Sequence, residues 1–560
     1  MSNTNPCRVL LLIMTLMVVM LIATINSNWT NAGVNYNYIF FLLVVFFTIA
    51  LIFSHNRKIG RLILLLLILI DLCYEIVLSI FQIMEIAVSG NFLQPFTGSY
   101  HNMGPYGGFL SICISVLCAY LIKYKPEDEL YKNTKYGRTI VFVILGVAIT
   151  ILPATQSRAA LLALIISMFF LCLSSQNIFV RIKAFISRYL LISVLFVVVF
   201  VLAAYLFKKP SADGRFFMNR ISVLAICGNG LKGTGINHFG GSYGDAQADY
   251  FHNLIIENGE NDLDWNVINE HSRLIADCPD SPYNEYLFVG IEYGPIIMVL
   301  FFGVIEASIL FSFKRNSIWC FGMISLAVFS FFSYPMHVKQ FQILFTILIA
   351  ACLTDSGCCK DDKKGLLMMS KVDIFIMTLL FLSFTIICMI KKPELKHQKE
   401  AVASWRQVEK WYNLDYYDYV VEDCQTLLPY LKHDESFLFD YGQSLSKTGN
   451  YALSDSVLKI GTKISCDPMF WNVMGNNSLS LGKYREAEER YKHAFYLVPN
   501  RIYPLYLLAK LYIEEGDTAS FLKMTEIVET FIPKVESATT EQIKQEIREL
   551  KNDYLFEDDN

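Results

Sequence analysis

Long apolar blocks separated by short polar connections fill the chain up to about residue 392. They fall near 8–25, 38–54, 61–88, 106–123, 139–153, 157–175, 189–207, 286–312, 317–333, 340–354 and 373–391. A helix rising about 1.5 Å per residue crosses a hydrocarbon core in blocks of this size, so the pattern predicts eleven transmembrane helices. The first block has Arg8 alone before it, and the SNWTNAG that follows carries no small-x-small cleavage pattern. A retained anchor is therefore expected rather than a signal peptide.

The polar connections alternate in charge. Arg57, Lys58 and Arg61 follow the second block, and Lys123, Lys125, Lys132, Lys135 and Arg138 the fourth. Arg181, Lys183 and Arg188 follow the sixth, Lys314 and Arg315 the eighth, and Lys360, Lys363, Lys364 and Lys371 the tenth. Basic loops stay in the cytoplasm, so every even-numbered exit faces inward. The expected protein is a multi-pass membrane protein. Its long loop 208–285 and everything beyond the last span then lie on the extracytoplasmic side.

Composition sharpens this picture. With 54 % hydrophobic and 18 % charged residues among 560, and a mean hydropathy of +0.40, a string of soluble domains is excluded. The formal net charge of −4 points to no nucleic-acid partner. Half of the 14 cysteines lie inside apolar blocks, where they act as small apolar residues. Cys358 and Cys359 have no second pair at zinc spacing, so no metal is expected. Pairing of Cys424 with Cys466, or of Cys227 with Cys278, is open in an oxidising compartment.

Beyond Lys391 the chain turns soluble and self-similar. FLFDYGQSLSKTGNYALSDSVLKIG, FWNVMGNNSLSLGKYREAEERYKHAFYLVPN and YLLAKLYIEEGDTASFLKM share a helix–turn–helix plan whose glycines, Gly449, Gly482 and Gly516, are spaced by 33 and 34 residues. This period resembles the tetratricopeptide repeat, in which each helix pair buries its apolar face against the next. The expected class is therefore all-α. A polytopic helical bundle over 1–392 precedes a soluble repeat domain over 393–560 that docks a protein.

Charged groups in or beside spans mark candidate chemistry. Asp71 and Glu75 share one face of the third span, with Glu85 near its end. Arg158, in TQSRAALLAL, sits at the outer mouth of the sixth span, against the charge rule; its planar fork suits phosphate oxygens. The outer loop adds Arg215 and Arg220 in DGRFFMNR, with Lys232, His238, His252, His271 and Arg273. Its glycine run GNGLKGTGINHFGGSYG allows close backbone approach, but with no strand before it a nucleotide site is a weak reading. Glu292 is expected about two turns into the eighth span.

Four segments, TGSYHNMGPYGGFL, TQSRAALLALIIS, RFFMNR…GTGINHFGGSYGDAQADYF and PYNEYLFVGIEYG, resemble in order and topology the O-antigen ligase/polymerase superfamily over roughly residues 60 to 355. The resemblance implies a metal-independent, inverting glycosyltransferase that needs no cofactor. It would move a glycan from an undecaprenyl-diphosphate donor to an acceptor hydroxyl on a lipid, a growing glycan or a protein. It also implies that Arg158, with Arg220 or Arg215, holds the diphosphate. The sequence departs from the family at Tyr283, where a histidine base is usual; Glu285, His271 and His252 remain as candidate bases. Two other classes stay open: a transporter or flippase with charged residues lining a path, and an envelope assembly factor acting through its repeats.

Overall fold

The computed structural model describes residues 36–124, 135–175, 209–257, 270–355 and 396–558, with positions 382 and 386. The spans expected at 8–25 and 189–207, and all but those two positions of 373–391, lie outside them. The described chain is helical, with no strand among the described residues. Its membrane-side helices are α1 (Tyr36–His55), α2 (Arg57–Ile83), α3 (Met103–Lys123), α4 (Lys135–Ala154) and α5 (Arg158–Ser174). The outer loop forms α6 (Lys209–Asn229), α7 (Phe239–Glu257), α8 (Glu270–Ile275) and α9 (Glu285–Tyr293). Then come α10 (Pro295–Lys314), α11 (Trp319–Ser330) and α12 (Lys339–Thr354).

Among these, Arg57–Ile83, Met103–Lys123, Gly137–Ala154 and Pro295–Lys314 are long and apolar enough to cross a membrane. Tyr38–Phe53, Arg158–Ser174, Trp319–Ser330 and Lys339–Thr354 are shorter apolar helices. α3 forms the axis of this bundle and packs on α4, α5 and α11. Gly107 lies against Thr155, Ser157 and Ala160, and Gly108 against the Phe329 ring, so neither position has room for a side chain. Hydroxyls then join the helices where no water competes: Ser111 Oγ lies 3.0 Å from Ser325 Oγ, and Ser167 Oγ donates to Phe321 O at 2.8 Å.

The basic connections meet at one end. Arg61 pairs with Asp355 at 2.7 Å, and the fully buried Asp355 also accepts from Ser317 Oγ and Trp319 Nε1, each at 3.1 Å. Lys123 Nζ donates to Asn316 Oδ1 at 2.6 Å, and Arg138 Nη2 to Leu121 O at 2.9 Å. The beginning of α2, the ends of α3 and α12 and the α10–α11 turn are thereby drawn together.

The continuous span expected at 286–312 is interrupted. Gly294, at φ +90°, separates α9 from α10, and Pro295 opens α10, where its missing N–H costs nothing. A side chain at Gly294 has no room against Leu231 O and Gly233 N. Thr234 N and Gly235 N donate to Ile291 O and Glu292 O, both at 2.9 Å, closing the chain reversal. Glu292 consequently sits at the end of α9, outside the span.

The C-terminal unit comprises helical residues 396–412, then α13 (Tyr417–Leu431), α14 (Glu435–Lys447), α15 (Tyr451–Gly461), α16 (Pro468–Ser480), α17 (Tyr484–Leu497), α18 (Tyr503–Glu515), α19 (Thr518–Thr530) and α20 (Ala538–Asp558). Three hairpins, α14–α15, α16–α17 and α18–α19, turn at Gly449, Gly482 and Gly516, all with left-handed φ between +70° and +81°. The outer loop packs on this unit. Phe217, Tyr243 and Phe251 share a core with Tyr491, Phe495 and Leu505, and Asn500 Nδ2 donates to Ala276 O at 2.6 Å.

Two further contacts seal that seam. Gly240 and Gly241 lie against the carbonyls of Ile464 and Lys463, so this part of the glycine run serves chain packing. Cys278 is bonded to Cys466, with Cα atoms 5.5 Å apart, whereas Cys227 and Cys424 are free. The pairings Cys424–Cys466 and Cys227–Cys278 are thus both replaced. Cys424 is buried on α13 within a different core, while docking of α7 on α17 brings the α8–α9 connection against the start of α16. The bridge spans 188 residues of sequence, and cross-links of long loops stabilise most. Changing both Cys278 and Cys466 to Ser should cost about 2–4 kcal/mol. Thermal unfolding of the purified protein should show a lowered midpoint that reductant no longer shifts, whereas the wild type shifts on reduction.

Candidate functional site

Two apolar helices begin side by side at the end of the bundle opposite the basic connections. Asn102 caps α3, accepting from Gly104 N at 2.8 Å, and Ser157 caps α5, accepting from Ala160 N at 3.4 Å. Both starts line a cavity of about 260 Å³ together with Gln94, Arg158, Arg215, Tyr283 and Tyr334. At the start of α3 the donors are already taken, Met103 N by Gln94 and Gly104 N by Asn102, and Pro105 has none, so the positive character of the cleft comes from the start of α5 and the two guanidinium groups.

Arg215 comes from α6. Its Nη1 donates to Phe332 O at 2.9 Å, and its guanidinium lies 4.9 Å from the centre of the Tyr283 ring. The Tyr334 ring packs edge-on against Tyr283 at 5.3 Å. Burial lowers the Arg215 pKa; Tyr283 opposes this and nearby Arg158 adds to it. Tyr283 is held at φ +51°, immediately before Asn284, whose side chain caps α9 by accepting from Tyr286 N and Leu287 N. A tyrosine in this strained position serves as a platform for Arg215.

Arg220 goes elsewhere. Five residues along a helix carry it well around α6 from Arg215, and its guanidinium lies 4.9 Å from the centre of the Tyr250 ring. It lines a separate groove with Asp245 and Asp249. Of the two arginines left open by the sequence, Arg215 joins Arg158.

Next to the arginine cleft lies a larger cavity of about 970 Å³, walled by α9, the 335–337 turn and repeat residues His433, Glu435 and Ser465. Glu285 is buried there. Its Oε1 accepts from Met336 N at 2.6 Å and faces His337 Nδ1 at 3.3 Å. The His337 ring lies 4.4 Å from Phe288 and 6.2 Å from Tyr334, the residue that also lines the cleft. Burial alone would lower the His337 pKa, but the hydrogen bond and charge of Glu285, with Glu292 and Asp280, raise it overall. Glu292 is pushed up to about 8 by burial, although backbone N–H groups of Asn237, Phe239 and His238 and the charge of His337 oppose the shift.

The remaining candidates fall outside both cavities. His252 lies on the α7–α17 seam, 5.2 Å from the Tyr496 ring, in a pocket with Asp249, Glu489 and Lys492. His271 belongs to α8, and its side chain lies outside the described residues. Its neighbour Arg273 stacks over Phe531 at 4.7 Å. Glu75 has a structural task, accepting from Ser99 N at 2.9 Å and Ser99 Oγ at 2.5 Å to hold the α2–α3 connection. Asp71 is exposed on the bundle surface, and Glu85 occupies a turn at φ +59° beyond α2. No group of three or more His, Cys, Asp and Glu suited to a metal occurs among the described residues.

His337 escaped the sequence reading, although its signal was present. SYPMHVKQ puts a histidine and Lys339 in a short connection on the side otherwise poor in cations, the same anomaly that singled out Arg158.

The sign of the pH dependence follows from these shifts. His337, raised above its ordinary 6.5, and Glu292, raised from 4.5 to about 8, both bind protons more tightly folded than unfolded. Stability contributed by each is present at low pH and is lost as pH rises through the folded value. The melting temperature in detergent should therefore fall as pH rises from about 5 to about 8, the Glu292 share beginning above the ordinary carboxylate value and the His337 share above 6.5. Glu292→Gln should flatten that fall, and an equal slope in the variant would refute the assignment.

No family model and no curated protein matches this chain.

Proposed function

We propose that the protein is a membrane glycosyltransferase. It moves a glycan from an undecaprenyl-diphosphate carrier to an acceptor hydroxyl on the extracytoplasmic face of the bacterial inner membrane. The observation that carries this reading is the meeting of Arg158 and Arg215, from separate segments, at the starts of α3 and α5. Two guanidinium groups lining one cavity offer forked donors that match the oxygens of a diphosphate. Charge grows on a diphosphate leaving group as the glycosidic bond breaks, and fixed guanidinium groups stabilise it without reorganising. The donor would therefore bind with its diphosphate in the cleft, without a resident cofactor.

The acceptor enters from the larger cavity. His337 removes its proton, oriented through Nδ1 by Glu285, and the ring stack His337–Tyr334–Tyr283 joins this base to the cleft. This reading gives Tyr283 a place without a histidine at that position. Eleven spans, with the outer loop and the repeats on the extracytoplasmic side, belong to the same proposal. The Cys278–Cys466 bridge supports that side, because such bonds persist in oxidising compartments. The hairpins would be tetratricopeptide repeats that present a lipid, glycan or protein acceptor to the cavity they help wall.

Arg158→Ala and Arg215→Ala, inserted at wild-type levels, should each lower transfer about 100-fold or more. Carrier-linked glycan should accumulate while one envelope product disappears. Arg220→Ala should retain transfer. Full product from both cleft variants would overturn the proposal. His337→Gln should lower turnover about 100-fold with little change in donor binding; unchanged turnover would remove His337 from the chemistry.

A further inference from the structure

Helix α6 runs for 21 residues, about 31 Å at an ordinary helical rise. Both of its ends are pinned where apolar helices stop. Near its start, Arg215 is bonded to the carbonyl of Phe332, just past the end of α11 at Ser330. Past its end, Leu231 and Gly233 abut Gly294, one residue before the span α10 begins. The stretch from Arg215 to Leu231 is thereby fixed at both ends beside the apolar helices α11 and α10.

One face of α6 is fully engaged. Phe217, Ile221 and Ala225 are buried in the outer core with Tyr243, Phe251 and Ile291. The other face is apolar and exposed: Phe216 at 67 %, Val223 at 47 %, Leu224 at 43 % and Leu231 at 68 %, with Cys227 exposed between them. Positions 216, 220, 223, 224 and 227 recur at the spacing of a single helix face, and Leu231 follows in the turn just past the helix end. Arg220 is the one cation in this row. Beyond Gly294 the apolar exposure continues on α10 at Ile296 and Val299, 53 % and 64 % exposed. The row is therefore continuous with the surface of a helix long and apolar enough to cross the bilayer.

We propose that this face of α6 is immersed in the outer boundary of the bilayer. Phe216, Val223 and Leu231 lie among the upper acyl chains, while Leu224 and Arg220, at the edge of the groove that holds Asp245 and Asp249, stay at headgroup level. Continuity with α10 selects lipid as the occupant rather than a protein partner. The inference stands apart from glycosyl transfer and needs only that the protein sits in a membrane.

Cys227 is a native reporter in this row. A nitroxide attached there in proteoliposomes of phosphatidylethanolamine and phosphatidylglycerol should collide with oxygen several-fold more often than with a water-soluble nickel chelate. Labelled Cys227→Ser protein provides the background to subtract. A label on Arg485→Cys in that same background, on the exposed start of α17, should show the reverse preference. Leu231→Cys provides a second reporter if modification at Cys227 disturbs the helix. Nickel-dominated collisions in the row would mean that water covers it, and weak collisions with both reagents that protein does. Either result overturns the proposal.

Discussion

Chain direction at Gly294 governs the outer half of the molecule. With φ at +90° and no space for a side chain against Leu231 and Gly233, this residue ends α9 and starts α10 afresh as a separate apolar helix. An uninterrupted helix would carry Glu292 and Tyr293 into the span and pull Tyr283, Asn284 and Glu285 out of position. The break instead leaves a short outer helix whose start supplies the Arg215 platform and whose first residue holds His337. It also fixes the end of α6 through hydrogen bonds from Thr234 and Gly235 to the end of α9. One unusual backbone position thus coordinates three segments distant in sequence.

Charge is sorted finely around that break. Arg158 and Arg215 occupy one cavity, and Glu285, Glu292 and His337 border its neighbour. Tyr283 and Tyr334 lie between them, joined edge to face. These two rings are the boundary between the basic cavity and the one that holds the carboxylates. At the opposite end of the bundle the charges are consumed structurally, as where Arg61 is spent on the buried Asp355. The contrast is physical: one end pairs its arginine with a carboxylate, and the other places two arginines together.

Apolar block length made the helices of the bundle legible in the sequence, because hydropathy reads burial in lipid directly. The turn glycines of the hairpins were legible for a related reason, since only left-handed φ makes glycine recur at that point. The Gly294 break had a sequence signal, the Gly-Pro pair at 294–295, which the apolar residues on either side masked as one block; the crowding from residues 231–235 that fixes it is tertiary. The choice between Arg215 and Arg220 was hidden likewise, as helix phase relative to Arg158 depends on how α6 is pinned. Cysteine pairing failed for the same reason: Cys278 meets Cys466 only once α7 has docked on α17.

That docking makes the repeat unit part of the site. His433, Glu435 and Ser465 wall the cavity that holds Glu285 and His337, and Asn237 Nδ2 donates to His433 O at 2.8 Å. The disulfide and the Gly240–Gly241 contact fix the same seam from two further points. A detachable recruiting arm would be joined by a linker and a small polar interface. Here a continuous apolar core runs from Phe217 through Tyr491 to Ile547, so any ligand reaching His337 from the large cavity meets the repeats and the membrane end as a single wall.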